Sequence, residues 1–113
     1  MNQQQLEVVE TLKEYIPNLM DGILEVINSI TKNKFKDTTA MMSDIIEGIQ
    51  WVQEALILTS KGLYSEVSGV NLNELLSDIL KSYEDEDIIL AKDLLKYELL
   101  PLTDKFLEIV EKM

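Results

Sequence analysis

Apolar residues recur at three- and four-residue steps along almost the whole chain, and only a helix gathers that spacing onto one face. In the first segment Val8, Val9, Leu12, Ile16, Leu19, Met20, Ile23, Val26, Ile27 and Ile30 follow it. The stripe keeps its phase across Pro17, which falls on the polar side. One helix from Gln3 to Thr31 is expected, kinked near Pro17 where a backbone hydrogen bond is lost. A break into two helices is the alternative.

Three further helices follow. Asp37 is placed to cap a second helix running to Ser60, with Met41, Met42, Ile45, Ile49, Val52 and Leu56 inward. Gly62 is placed to end it. Lys61 to Val70, with two glycines and two serines, reads as the longest connection. Asn71 followed by Glu74 resembles a capping box for a short third helix carrying Leu72, Leu75, Leu76, Ile79 and Tyr83 on one side. The acidic run Glu84 to Asp87 opens a fourth, where carboxylates suit the positive end of the helix dipole. Its inward residues are Ile88, Ala91, Leu95, Leu99, Leu102, Phe106 and Ile109, with a kink expected at Pro101.

Short turns between helices one and two, and between three and four, make each pair antiparallel. The expectation is all-α: one domain over residues 1–113, an antiparallel up-down-up-down four-helix bundle. Both short turns then lie at one end, and Lys32, Lys34 and Lys36 should face Glu84 to Asp87. The halves also look alike. Ile23, Val26, Ile27 and Ile30 stand 49 residues before Leu72, Leu75, Leu76 and Ile79, and the same offset aligns Asp44-Ile45-Ile46 with Asp93-Leu94-Leu95. Two readings stand: a duplicated helical hairpin, or two amphipathic hairpins of equal length that align by periodicity alone.

Composition narrows function. The chain has no histidine or cysteine, and all ten basic residues are lysines. Those missing side chains supply most nucleophiles, proton shuttles, soft-metal ligands and phosphate clamps. Di-metal bundles use Glu-x-x-His pairs, which need the missing histidine. Gly62 and Gly69 stand alone, without a phosphate-loop signature. Glu84 to Asp87 lacks the ligand spacing and turn glycine of a calcium loop. No catalytic residue, metal ligand or cofactor site is assigned. A net charge of −11 opposes binding to nucleic acid and anionic lipid. No apolar run approaches the ~20 residues that span a bilayer, and the N-terminus lacks signal-peptide character. A cytoplasmic location is expected.

Two residues sit out of pattern. On a helical projection Glu98 falls among Ala91, Leu94, Leu95, Pro101 and Leu102, on the apolar side. A buried carboxylate is costly unless paired or hydrogen-bonded. It is either a tied-down structural group or a polar anchor in a groove. Trp51 projects off the core stripe of its helix, near Leu58 and among Asp44, Glu47 and Glu54. It is either an interface anchor or a peripheral core residue covered by the first or fourth helix.

Asp93-Leu94-Leu95-Lys96-Tyr97-Glu98-Leu99-Leu100-Pro101-Leu102, with Phe106 following, resembles a recurring segment in a family of small uncharacterised all-helical proteins of Gram-positive bacteria, a domain of unknown function. Glu47-Gly48-Ile49-Gln50-Trp51 also has that family's look. The likeness covers mainly helices two and four. It implies a helical bundle and transfers no activity and no catalytic residue.

The leading expectation is a non-enzymatic interaction protein of adaptor or chaperone-like kind, binding another protein or itself, with Trp51, Leu58 and Glu98 as candidate positions. The alternative is a small-ligand protein or enzyme using carboxylates and lysines near Glu98. An acidic mimic of nucleic acid is allowed by the net charge. The charge is spread evenly over both halves, however, and no concentrated acidic face is expected.

Overall fold

The computed structural model describes residues 1–60 and 71–113. Among these, four helices build the molecule and no strand occurs. Helix α1 spans Gln3–Thr31, α2 Thr39–Thr59 and α3 Leu72–Glu84. Helix α4 is one rod in three parts: α-helical over Ile88–Leu94, π-helical over Leu95–Leu99 and α-helical over Leu100–Glu111. The expected connection Lys61 to Val70, with Gly62 as helix end, lies outside the described residues.

Each helix start has a local cause. Asn2 and Gln5 form a reciprocal capping box, the Asn2 side chain accepting from the Gln5 N–H at 2.8 Å. Asn71 accepts from the Glu74 N–H at 3.1 Å, and Asp87 from the Leu90 N–H at 3.1 Å. Helix α1 continues unbroken through Pro17, so the two-helix alternative fails. The continuous apolar stripe on either side of the proline holds it: Leu12, Ile16, Ile23 and Val26 are all fully buried.

The second helix begins differently from the sequence expectation. Asp37 does not cap it. It lies inside a 3₁₀ turn, Phe35–Thr38, and Thr38 is the N-cap residue without a side-chain cap bond. Burial of Phe35 and Thr38 explains the tighter turn. The Thr38 hydroxyl donates to the Phe35 carbonyl at 2.6 Å, and Phe35 stacks on Tyr83 with ring centroids 4.5 Å apart.

Helices α1 and α3 end alike, on Schellman motifs. The Lys34 N–H donates to the Ser29 carbonyl and that of Asn33 to Ile30; the Asp87 N–H donates to Ser82 and that of Glu86 to Tyr83. Asn33 and Glu86 take the left-handed conformation, at φ 63° and 53°. The two turns are therefore equivalent at an offset of 53 residues, not 49. The four-residue difference is about one helical turn and preserves phase, which is why the apolar residues also align at 49.

Helix α1 packs along both α2 and α4, while α3 packs on the first part of α4. The molecule measures 46 × 24 × 17 Å. The two short turns meet at one end: the Thr38 and Tyr83 hydroxyls are 2.7 Å apart, and Phe35, Lys34, Lys36, Glu86 and Ile88 line a common depression. Helices α1 and α3 thus run toward this end and α2 and α4 away from it, the up-down-up-down order. The lysine and acidic turns do adjoin. No ion pair joins them; among described residues the ion pair is Lys13–Glu10, exposed, at 3.4 Å. Burial holds the Tyr83 hydroxyl above its ordinary pKa.

Most expected inward residues are buried. Ile88 is an exception and stands exposed with Ile89 and Leu90. Three consecutive apolar residues at a helix start span about 200° of its circumference, too wide for one face.

Candidate functional site

Helices α1 and α2 approach closely at Gly48. A Cβ at this position would lie 2.5 Å from the Tyr15 hydroxyl oxygen and 2.8 Å from Leu19 Cδ2. The missing side chain therefore lets Tyr15 lie against α2. Trp51, one turn further on, meets Tyr15 edge to face, with centroids 5.2 Å apart and planes at 87°. This geometry is favourable for two aromatic quadrupoles. Coverage is partial: Trp51 remains 39% exposed.

Beyond the Tyr15–Trp51 pair the two helices leave an open groove of about 490 Å³. Asn2, Gln4, Gln5 and Val8 of the α1 end form one wall. Trp51, Glu54, Ala55, Leu58 and Thr59 of α2 form the other. The Thr59 hydroxyl is already bound to the Ala55 carbonyl at 2.7 Å. Ala55 is buried, and Leu58 stands 77% exposed at the rim. The groove thus offers apolar side chains with amide groups along one edge.

The structure brings Trp51 and Leu58 together in this groove and leaves Glu98 out of it. Glu98 is exposed, contrary to its place on the helical projection. The π-helical turn is the reason. The Leu100 N–H donates to the Leu95 carbonyl, five residues back, so this turn holds one residue more than an α-turn. The buried series steps from Leu94 and Leu95 to Leu99, and Lys96, Tyr97 and Glu98 all swing to solvent. Pro101 stands in the first turn of the segment that follows. It has no N–H for the Tyr97 carbonyl, and its ring would crowd that carbonyl in a regular helix. The wider turn sits where that conflict would arise.

A second exposed apolar area surrounds this turn. Ile89 is 77% and Tyr97 65% exposed, beside Ile88, Ile30, Lys92 and Lys96. The Lys96 ammonium lies 5.3 Å from the Tyr97 ring centroid. Sequence projection missed this area; the unbroken Ile88-Ile89-Leu90 run was the available signal. Among the described residues no group of three or more Asp or Glu is gathered as for a metal ion, and no buried side-chain polar atom lacks a partner. No described helix is long and apolar enough to cross a membrane.

A family described as a domain of unknown function (DUF8042) matches residues 7–109. The chain belongs to this family. The matched span includes all of α2 and α3, so Trp51, Ala55 and Leu58 lie inside it, as do Val8 and Tyr97. Asn2, Gln4 and Gln5 of the groove precede it. No curated protein and no solved structure matches the chain. The family description assigns no activity, so the geometry of the groove is what bears on function.

Proposed function

We propose that this chain is a non-enzymatic docking module that holds an amphipathic helix of another protein between α1 and α2. The observation that carries this reading is the partly exposed Trp51, fixed by Tyr15 at the edge of a groove walled by Val8, Ala55 and Leu58. A tryptophan held at one orientation loses little entropy on binding and buries a large area, which is why such residues anchor interfaces. Helix-in-groove recognition needs an apolar trough between two helices, and this one is open. The composition supports a binding rather than a catalytic role, since histidine, cysteine and arginine are missing. The charge of −11 supports a protein rather than a nucleic acid as partner. The docking reading is favoured over one of a carboxylate and lysine site near Glu98, which is exposed and outside this groove.

The test combines capture from the native cell with mapping by amide chemical shifts. A captured partner should perturb Val8, Trp51 and Leu58 and be lost on the double substitution Trp51→Ala, Leu58→Ser. The variant's fold is checked by circular dichroism. A partner retained by the folded double variant would overturn the reading.

A further inference from the structure

The charged side chain that lines the groove is an acid, Glu54, and the exposed face of α2 stays acidic on the other side of Trp51. Asp44, Glu47, Trp51, Glu54 and Leu58 follow one another along α2 at steps of three, four, three and four residues. They form one stripe, and all five are exposed. Glu47 and Glu54 thus flank Trp51, and Glu54 stands between it and Leu58. Helix α2 carries no basic residue. On α1, Glu7 and Glu14 are exposed on the solvent side of the Val8–Tyr15 seam. The helix's one lysine, Lys13, lies near the opposite side and is paired with Glu10. The even division of charge between the sequence halves conceals this stripe, because the lysines are concentrated elsewhere: Lys32, Lys34 and Lys36 at the far turn, Lys92 and Lys96 on α4.

We infer that the occupant of the groove is a basic amphipathic helix, with lysine or arginine interleaved among large apolar residues at three- and four-residue spacing. This rests on the docking reading above and adds the chemistry of the partner. Such a helix lays its apolar stripe on Trp51, Ala55 and Leu58. Its long basic side chains extend along the groove walls and bring their charges to Glu54 and, past Trp51, to Glu47. A second copy of this chain fits less well. Two copies of charge −11 repel. An acidic helix would meet like charge at Glu54 and Glu47.

The probes are three synthetic helical peptides with the same apolar positions and with lysine, glutamine or glutamate elsewhere. Binding to the full chain is followed by calorimetry. The lysine peptide should bind one to one. Its affinity should fall about ten-fold or more between about 50 and 500 mM sodium chloride. It should fall about as much for Glu47→Lys, Glu54→Lys, whose substitutions are both on the surface, and for Trp51→Ala. The glutamate peptide should not bind. Equal, salt-indifferent binding of the glutamine and lysine peptides would overturn the charge inference and leave the docking reading standing. Lysine-peptide binding that is indifferent to Trp51→Ala and Leu58→Ser would show adsorption to an acidic surface and overturn the inference. Absence of binding by all three would count against the docking reading itself.

Discussion

The hydroxyls of Thr38 and Tyr83 lie 2.7 Å apart and join the first interhelical turn to the second. Thr38 also donates to the Phe35 carbonyl, so in this pair it acts as acceptor and Tyr83 as donor. Replacing Tyr83 by Phe removes that donor and keeps the ring against Phe35. Thr38 keeps its backbone partner. Tyr83→Phe should therefore cost about 0.5–1.5 kcal/mol, the net worth of one hydrogen bond, read as a lowered urea midpoint at unchanged slope. No loss would mean that the ring contact alone holds the two turns together.

The same tyrosine gives the fold an alkaline sensitivity. Burial disfavours the phenolate and raises the Tyr83 pKa above its ordinary value of 10.0. Above that pH the native state keeps a proton that the unfolded chain releases. Stability is then lost as pH rises, while below pH 10 the contribution is complete. Lysines titrate in the same range, so the difference between wild type and Tyr83→Phe isolates this group. The wild type should lose stability faster with rising pH above about 10. Parallel urea midpoints for the two proteins through that window would contradict it.

Gly48 sets the spacing of α1 and α2 and so the width of the groove. On helix propensity alone, Ala would stabilise this position by up to about 1 kcal/mol. The close approach of Tyr15 and Leu19 should reverse the sign. Gly48→Ala is expected to destabilise by about 1–3 kcal/mol, as overpacking does, and to change Trp51 emission because Tyr15 must move. Tyr15→Phe takes away the nearest atom and should recover part of the loss. Non-additivity in that double-mutant cycle is the measurement.

Glu98 should be energetically silent. It is exposed on the π-helical turn, so Glu98→Gln should leave stability within about 0.5 kcal/mol of wild type by thermal melting. A larger loss would mean that the side chain has a partner in the fold after all.

Glu98 also marks the limit of what the sequence could disclose. The stripe from Val9 to Ile30 specifies α1, the two short turns specify antiparallel pairs, and the topology follows. Trp51 and Leu58 stand out because they break a clear stripe. A projection at 100° per residue, however, assumes every turn is an α-turn. One wider turn, placed by the conflict between Pro101 and the preceding helix, rotates Lys96 to Glu98 outward. The burial of Phe35 and Thr38 was likewise hidden, because it depends on Tyr83, 45 residues further on. The groove depends on how α1 crosses α2, and Gly48 alone hinted at that contact.

The two Schellman turns differ in how well their residues suit them. Asn33 and Glu86 both hold positive φ. Asparagine tolerates this region, whereas a glutamate Cβ is crowded against the following carbonyl. Glycine at position 86 would relieve that crowding at some cost in unfolded-state entropy, for a net gain of about 0.5–1 kcal/mol. Glu86→Gly also removes a charge that stands between the acids Glu84, Asp85 and Asp87 and the lysines Lys34 and Lys36. Glu86→Gln separates the two effects, since it removes the charge and keeps the side chain. The urea midpoint should be higher for Glu86→Gly than for Glu86→Gln, and Asn33→Gly should change little. If Glu86→Gln accounts for the whole gain, charge repulsion rather than backbone conformation is what burdens this turn.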